Sequence, residues 1–378
     1  MIFDSHKNQL KNLINSALAE VDIQVNGDRP WDMKVLNENL YPRVIGQGSL
    51  GLGEAYVEGW WDCQQLDELF NKILKGRLQD HIGTNNLGSW FIIISTKLRN
   101  LQNLSRSFQV GEQHYDLGND LYQAMLDSRL NYSCGYWREA DNLEAAQEAK
   151  LNLICQKLQL KPGMTLLDIG CGWGGLIKYV AQNYGVSCVG ITISQQQLQL
   201  GQQLCNGLPI KFLLQDYRKL QGKFDRVVSV GMFEHVGYKN YRQFMEVVEC
   251  CLEDEGLFLL HTIGNRYSVT YGERWSSKYI FPNGMLPSLN QIFRATEKLF
   301  VTEDLHNFGS DYDLTLMAWL EKFEQNWPQL KSKYGEQFYR HWKYYLCMMA
   351  GSFRSRNIQL WQIVFAKQGM VGGYRSIR

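Results

Sequence analysis

The sequence has almost no net charge, since its 378 residues include 39 Lys and Arg against 38 Asp and Glu. It therefore lacks the basic excess typical of chains that bind nucleic acid, and we expect no such partner. None of its nine cysteines forms a C-x-x-C pair, and their number is odd. This argues against a disulfide framework and against a zinc site, and it indicates a reducing compartment with no metal bound.

Long apolar runs are also missing. The opening stretch, MIFDSHKNQLKNLINSALAEV, has no apolar core of the kind found in signal peptides, and the tightest apolar cluster, WFIII at residues 90–94, is far too short to span a bilayer. We therefore expect a cytoplasmic protein. Aromatic residues are abundant at 13%. A large core or aromatic-lined channels would account for them, and we favour the core.

The first 107 residues divide into two parts. Apolar residues between Leu10 and Val21 recur at helical spacing and predict an amphipathic helix, and the rest of residues 1–85 reads as short strands and turns of a small α+β domain. Residues 86–107 form a predicted linker in which Ile94, Leu98 and Leu101 share a helical face close to basic residues. That face suits an anionic lipid surface or a docked connector helix, and the connector is the commoner case.

Residues 108–378 are predicted to form the main domain. From Asn142 onward, buried strands alternate with helices, which is typical of a doubly wound, mostly parallel α/β sheet. An aromatic insertion, Asn265–Ser288, interrupts the pattern before a last strand. The predicted strands are Leu166–Gly170, Val186–Ile191, Ile210–Gln215, Arg226–Gly231, Gly256–His261 and Ile358–Phe365, and the helices are Gly174–Tyr184, Ser194–Leu204 and Asn240–Leu252.

A glycine-rich turn, LLDIGCGWGG, joins the first of these strands to its helix. Its glycines fit a dinucleotide-binding fingerprint, which needs an acid about 20 residues later to hold the ribose. No Asp or Glu occurs between Asp168 and Asp216. NAD is therefore disfavoured, and the D-x-G-x-G-x-G spacing favours S-adenosylmethionine. A purely structural glycine turn is the simpler alternative.

Nine motifs, including the glycine-rich turn, stand in one order along the chain: HYDLGNDLY, YSCGYW, LDIGCGWGG, GITIS, LLQDYR, SVGMFEHVG, LLHTIG, KYIFPNGMLPS and DYDLTLMAW. Together they resemble the cyclopropane-fatty-acyl-phospholipid synthase family, with the mycolic acid cyclopropane synthases as more distant relatives. The resemblance covers nearly the whole chain, including an N-terminal domain that the mycolic relatives lack. We expect this domain, residues 1–85, to be associated with lipid. The resemblance implies a Rossmann-like class I S-adenosylmethionine-dependent methyltransferase domain.

The resemblance also implies an activity, namely methylene transfer from S-adenosylmethionine to the cis double bond of unsaturated phospholipid acyl chains. The enzyme would be a homodimer in the cytoplasm, peripheral to the inner membrane and in contact with its phospholipids. Two alternatives stay open. One is a lipid C-methyltransferase that uses the same scaffold without closing a ring, and the other is a non-catalytic lipid-binding protein.

The family's cofactor residues can be carried over one by one. Thr192 and Gln197 would offer neutral hydrogen bonds in place of a ribose-binding acid, and Asp216 would accept a hydrogen bond from the adenine amino group unless it is only a turn residue. The implied cofactor-binding residues are Tyr132, Ser133, Asp168, Gly170, Gly172, Gly174, Thr192, Ser194, Gln197, Asp216 and Tyr217.

Methyl transfer to an isolated double bond leaves a carbocation that must lose a proton to close the ring. The pocket must exclude water and contain a placed base. The resemblance implies a bound bicarbonate held by the catalytic residues Cys134, Glu234, His261, Ile263 through its backbone, and Tyr312. Simpler interpretations exist for most of them. Cys134 would be a small buried residue, Glu234 the cap of a helix near Gly237, His261 a histidine satisfied by backbone, and Tyr312 a packing residue.

The late helix departs from the family pattern. Members of the family often have a cysteine there, whereas this chain has Met349 in that place and Cys347 two residues earlier. A catalytic thiol in this helix is therefore in doubt, and the mechanism above needs none.

Overall fold

The computed structural model describes residues 2–78 and 118–378. The N-terminal part consists of helices α1 (Ile2–Glu20), α2 (Leu40–Gln47), α3 (Ser49–Val57) and α4 (Leu66–Lys75), with strands β1 (Lys34–Val35) and β2 (Trp61–Asp62) paired antiparallel. The predicted amphipathic helix is confirmed as α1, which buries Ile14, Ala17 and Leu18.

The expectation of strands and turns is wrong for α2 and α4, and it is also wrong for residues 49–57, which form α3. Two of its glycines lie inside the helix because another chain segment approaches closely. A Cβ added at Gly53 would collide with the indole ring of Trp275. Tertiary packing thus overrides the low helix propensity of glycine at this position.

The rest of the described chain forms one seven-stranded sheet with helices around it. Its helices are α5 (Asn119–Met125), α6 (Leu143–Lys157), α7 (Gly175–Tyr184), α8 (Gln195–Leu204), α9 (Tyr241–Cys251), α10 (Arg274–Tyr279), α11 (Leu289–Thr296) and α12 (Asp311–Arg354). Its strands are β3 (Thr165–Ile169), β4 (Ser187–Thr192), β5 (Ile210–Leu214), β6 (Phe224–Val230), β7 (Leu252–Asn265), β8 (Val301–Asn307) and β9 (Ile358–Ala366).

The strand order is β5-β4-β3-β6-β7-β9-β8, in which the first five strands run parallel and β9 is antiparallel to both β7 and β8. The predicted doubly wound α/β sheet is confirmed. Helices α7, α8 and α9 each begin one residue later than predicted. The residues predicted to start them are their N-cap residues, Gly174, Ser194 and Asn240. Strand β8 was not predicted, because it is an edge strand with exposed apolar residues.

The chain runs outward from β3 through β4 to β5 and then returns to β6 on the other side of β3. Ligands of such sheets bind where the strand order reverses, at the carboxyl ends of the strands. The glycine-rich turn follows β3, Thr192 ends β4, and Gly231 follows β6 at this same edge. Because β6 and β7 are parallel with Val230 opposite His261, the histidine lies at that edge as well.

Helix α12 joins the N-terminal helices to the sheet. It contains Pro328 and bends at Gly335, where the backbone is non-helical with φ of 75°. The ring of Tyr344 lies 5.2 Å from that of Phe70 and 5.4 Å from that of Tyr56, so α4, α3 and α12 share one apolar cluster.

The predicted division into residues 1–85, 86–107 and 108–378 stays a prediction. The boundary at residue 85 and the linker with Ile94, Leu98 and Leu101 lie outside the described residues. Within the two described ranges, no helix combines the length and the apolar character that crossing a membrane requires.

Candidate functional site

A cavity opens at the carboxyl ends of β3, β4 and β6. The predicted cofactor residues that line it are Tyr132, Ser133, Asp168, Gly170, Gly172, Thr192, Gln197, Asp216 and Tyr217. The other two, Gly174 and Ser194, cap helices beside it. The Ser194 hydroxyl accepts a hydrogen bond from the backbone amide of Gln197 at 3.3 Å, which fixes the start of α8.

The glycines of the turn after β3 have different tasks. Gly170, Gly172 and Gly174 all have positive φ, at 92°, 55° and 86°. A Cβ at Gly170 would press on Met232 and one at Gly174 on Phe212, so these two glycines allow close packing. A Cβ at Gly172 would meet nothing within 4 Å and would point into open space. Close packing therefore explains Gly170 and Gly174. Gly172 shares their positive φ, and it also leaves room for a ligand.

Polar side chains from β4 and from the turn after β5 face the same cavity. The Thr192 hydroxyl donates to Oε1 of Gln197 at 2.7 Å. Asp216 accepts hydrogen bonds from the backbone amide of Arg218 at 3.0 Å and from its guanidinium at 2.7 Å. Asp216 is thus both the cap of a turn and a cavity residue. Arg218 also lines the cavity and was not predicted.

Two buried charged residues contribute to the cavity wall. Lys150 of α6 is 1% exposed and its Nζ donates to Ser133 Oγ at 2.9 Å. Burial lowers the pKa of Lys150 to about 8. Asp168 is 2% exposed, one of its carboxylate oxygens has no hydrogen-bond partner among the described residues, and burial raises its pKa to about 7.

Sequence reasoning missed Lys150. A signal was present, because Lys150 follows Leu143, Ala146 and Gln147 on the buried side of α6 and therefore occupies a core position. Cys171 and Trp173 of the predicted glycine-rich turn also line the cavity, and its wall contains other residues that were not predicted: Leu130, Asn131, Gln215, Met232, His235 and Asn283. Asn283 comes from the aromatic insertion, so this segment contributes to the site.

Glu234 lies in a single 3₁₀ turn directly after β6. Its Oε1 accepts a hydrogen bond from the backbone amide of Ile263 at 2.6 Å, whereas its buried Oε2 makes no hydrogen bond to any described residue. The interpretation of Glu234 as a helix cap is therefore wrong. Burial raises the pKa of Glu234 to about 7, so the side chain can hold or release a proton near neutral pH.

His261 lies on β7, with Val230 of β6 opposite. Its Nδ1 lies 3.2 Å from the side-chain amide nitrogen of Gln362, and its Nε2 has no partner among the described residues. The simpler interpretation, a histidine satisfied by backbone, is wrong. Since the Gln362 amide donates to Nδ1, the ring proton is on Nε2. Burial keeps the pKa of His261 well below its ordinary value, so the ring is neutral.

Tyr312 lies in the first turn of α12, and Cys134 contacts the same stretch of this helix. The fully buried Cys134 thiol donates to the Gly135 carbonyl at 3.1 Å and lies 3.9 Å from the Thr315 hydroxyl. Tyr312, one turn before Thr315, stacks on Phe353 with ring centroids 4.5 Å apart. Burial raises the pKa of the Cys134 thiol far above its usual range, so this thiol is not a nucleophile.

An aromatic path leads from the cofactor cavity to Tyr312. Trp173 contacts Tyr122 at 4.9 Å, Tyr122 contacts Tyr132 at 5.3 Å, Tyr132 contacts Trp319 at 5.1 Å, and Trp319 contacts Tyr312 at 6.1 Å, all between ring centroids. These rings belong to the large core cluster. The aromatic excess thus builds the core, and part of that core adjoins the site.

The late helix offers no thiol to this cavity. Cys347 is buried and lines a separate cavity between residues 64–72 and α12, beside Asp67 and Arg354. Met349 packs against the large core cluster.

The sequence matches known proteins along most of its length. A family model described as mycolic acid cyclopropane synthetase matches residues 102–363. The cyclopropane-fatty-acyl-phospholipid synthase of Escherichia coli (strain K12) is 52% identical over 366 residues, which cover 97% of this chain and 95% of that protein. Cyclopropane mycolic acid synthase 3 of Mycobacterium tuberculosis (strain ATCC 25618 / H37Rv) is 34% identical over 262 residues, 64% of this chain and 91% of that protein.

The fold matches known structures as well. The cyclopropane synthase MmaA2 from Mycobacterium tuberculosis has a TM-score of 0.65 and 31% identity, covering 69% of this chain and 98% of that chain. Mycolic acid cyclopropane synthase CmaA1, complexed with SAH and CTAB, has a TM-score of 0.64 and 32% identity, covering 68% of this chain and 97% of that chain. The predicted Rossmann-like methyltransferase fold is confirmed.

Proposed function

This chain belongs to the mycolic acid cyclopropane synthetase family, and we propose that it transfers a methylene group from S-adenosylmethionine to the cis double bond of unsaturated phospholipid acyl chains. The observation that carries the proposal is the position of Glu234, a buried acid at the edge of the sheet that also bears the cofactor cavity. The name of the Escherichia coli relative, whose sequence aligns with 97% of this chain, supports the substrate class.

The residues that line the cavity fit S-adenosylmethionine in their polar groups. When bound, this co-substrate supplies an electrophilic methyl group. Gly172 leaves space for it beside the turn after β3, and Asp168 offers a carboxylate oxygen with no partner among the described residues. Thr192, Gln197 and Asp216 line the other side and offer hydrogen-bonding groups for the ribose and the adenine.

The aromatic path suits an acyl chain and a cation. Tyr132 lines the cofactor cavity and contacts Trp319, which in turn contacts Tyr312. Such rings exclude water, which would otherwise trap the carbocation as an alcohol, and their faces attract positive charge. Tyr132 donates to or accepts from the Tyr345 hydroxyl at 2.9 Å, which holds its ring in place.

A base is still required, and the residues fit a small anion with an O–H group. When bound, bicarbonate supplies that base. Glu234 Oε2 and His261 Nε2 are both buried and lack partners among the described residues, so each has a hydrogen bond to offer. Cys134 and Tyr312 would complete the site. The Ile263 amide is engaged by Glu234, so this amide supports the anion by fixing the acid.

We further propose that the enzyme acts as a cytoplasmic homodimer that contacts the inner membrane peripherally. The support for membrane contact is chemical, since the double bond of a phospholipid chain lies on the order of 10 Å below the head groups. An enzyme with no spanning helix in its described part must withdraw the chain or dip into the bilayer.

The proposal is tested by expressing the protein in bacteria that lack cyclopropane lipids. We expect mass spectra of the phospholipids to show a gain of one CH₂ per unsaturated chain, and proton NMR of the lipid extract to show cyclopropane ring signals. A gain of mass without ring signals would instead identify a lipid C-methyltransferase. Unchanged lipids, together with measurable S-adenosylhomocysteine binding, would identify a lipid-binding protein and overturn the proposal.

Depletion of bicarbonate tests the base separately. Purified enzyme with vesicles of unsaturated phospholipid should slow when carbon dioxide is removed from the buffer and recover when bicarbonate is added. A rate that does not respond to bicarbonate would contradict the bicarbonate step and leave the transfer reaction in place.

A further inference from the structure

Lys150 is a buried cation with no carboxylate at ion-pair distance among the described residues. Its ammonium group donates to two neutral oxygens, Ser133 Oγ at 2.9 Å and Asn131 Oδ1 at 3.4 Å. Asp127, the acid with the largest electrostatic effect on Lys150, is itself occupied by two hydrogen bonds of 2.7 Å from Asn131. A buried charge without a counter-charge is costly, so a ligand anion at this position would be strongly favoured.

Asp168 presents the opposite charge in the same cavity. It is the second-last residue of β3, close to the glycine-rich turn. It is 2% exposed, and its Oδ1 has no hydrogen-bond partner among the described residues. Lys150 and Asp168 interact electrostatically but form no direct ion pair. The cavity wall thus carries a cation and, apart from it, an acid that a ligand ammonium would hold in its ionised form. These two groups match the carboxylate and the ammonium of a free amino acid.

We propose that Lys150 binds the α-carboxylate of the methionine moiety of S-adenosylmethionine, while Asp168 faces its α-ammonium. This inference rests on the proposed function for the identity of the co-substrate. Ser133 takes part as well, because its oxygen accepts from Lys150 and its own proton is then available for the same carboxylate. Lys150 is therefore a binding residue of the methionine end of the cavity.

The test compares two ligands that differ in the amino-acid moiety. S-adenosylhomocysteine has the carboxylate and the ammonium, and 5′-methylthioadenosine has neither. We expect Lys150→Met to weaken S-adenosylhomocysteine about tenfold to a hundredfold in calorimetry, the range for losing a hydrogen bond to a charged group. Its affinity for 5′-methylthioadenosine should stay within about twofold of the wild type.

Lys157→Met is the matched control. Lys157 is fully buried on the same helix, its Nζ lies 3.1 Å from His306 Nδ1 and 3.7 Å from an Asp304 oxygen, and it does not line the cavity. This variant should not discriminate between the two ligands. If Lys150→Met weakened both ligands equally, or neither, Lys150 would be a structural lysine and the inference would be overturned.

A second measurement keeps the inference testable if Lys150→Met fails to fold. The methyl ester of S-adenosylhomocysteine lacks the carboxylate charge, so the wild type should bind it about tenfold to a hundredfold more weakly than the free acid. Equal affinities would overturn the inference. Wild type that binds S-adenosylhomocysteine yet leaves lipids unchanged would contradict only the proposed function, and wild type that binds no S-adenosylhomocysteine would overturn both.

Discussion

The carboxylate of Glu234 and the backbone amide of Ile263 are joined by a hydrogen bond of 2.6 Å. The bond connects the turn after β6 to the carboxyl end of β7, and the backbone carbonyl of Glu234 also accepts from the amide of Met285. The acid is therefore fixed from two sides while its second oxygen stays unpartnered within the described structure. A side chain held this way keeps one position whether it is protonated or ionised.

We expect Glu234→Gln to lower the rate of ring formation by about a hundredfold to ten-thousandfold, the usual cost of losing a placed proton-transfer group. Glutamine can still accept from Ile263, so folding and affinity for S-adenosylhomocysteine should be unchanged. Turnover on phospholipid vesicles measures the first effect and calorimetry the second. Glu246→Gln, at an exposed position of α9, is the control. Near-wild-type turnover of Glu234→Gln would show that Glu234 does not hold the base.

Gly172→Val should abolish binding of S-adenosylmethionine. Its new side chain would point into open cavity space, and its φ of 55° adds backbone strain. Gly163→Val separates the two effects, since Gly163 also has positive φ and open space around it but does not line the cavity. We expect both variants to lose a similar amount of stability in urea unfolding. If both also kept wild-type affinity, Gly172 would serve the turn alone.

Asp168 should make the unbound protein less stable as pH rises. Burial raises its pKa from 3.8 to about 7. Between these values the unfolded chain has released the proton and the folded chain still holds it, so the free energy of unfolding falls by up to about 1.4 kcal/mol per pH unit. The asparagine in Asp168→Asn has no proton to release in this range. The free energy of unfolding of this variant, relative to that of the wild type, should therefore increase from about pH 4 to about pH 7 and then level off.

Urea unfolding at several pH values measures this difference. Asp225→Asn is the control with the opposite sign, because hydrogen bonds from Thr165 lower the pKa of Asp225. Asp225 contributes its full stabilisation above the ordinary pKa of an aspartate and loses it only in more acidic solution. The difference in free energy of unfolding between Asp225→Asn and the wild type should therefore be flat from about pH 5 to about pH 8. A flat difference for Asp168→Asn would mean that Asp168 is ionised in the folded protein.

Gly351→Ala should destabilise the contact between α4 and α12. The added Cβ would lie 2.6 Å from the Phe70 Cβ and 2.7 Å from the Asp67 carbonyl oxygen, so one helix must shift. Overpacking of this kind costs about 1–3 kcal/mol. Gly46→Ala, on α2 with nothing within 4 Å, should instead stabilise the protein by about 0.5–1 kcal/mol. Equal midpoints of urea unfolding for the two variants would contradict the close contact.

The sheet was predictable because its signals are local and repeated. Each buried strand is a short apolar run, and residues such as Ser194 cap the following helix at the residue where the pattern changes. The glycine-rich turn is also a local signal, and it predicted the position of the cavity correctly. Strand β8 was missed because Val301 and Leu305 face solvent at the sheet edge, which removes the alternation that marks a half-buried strand.

The parts that could not be predicted depend on distant contacts. Helix α3 contains glycines that favour turns, and Gly53 is explained by the ring of Trp275, more than two hundred residues later in the chain. Lys150 resembles an ordinary helix lysine until α6 is seen to bury it behind Ser133. The pairing of Glu234 with the Ile263 amide likewise requires the register of β6 and β7, which no single segment contains.

The shared core of α4 and α12 has a consequence for synthesis on the ribosome. Lys75 ends α4 and Asp311 begins α12, so more than two hundred residues must be translated between them. At roughly 5–20 residues per second this takes roughly 10–50 s. During that interval Leu66, Leu69 and Phe70 have emerged without the helix that covers them in the finished protein. The nascent chain therefore exposes an apolar surface that invites chaperone binding, and messages that end early would yield aggregation-prone fragments.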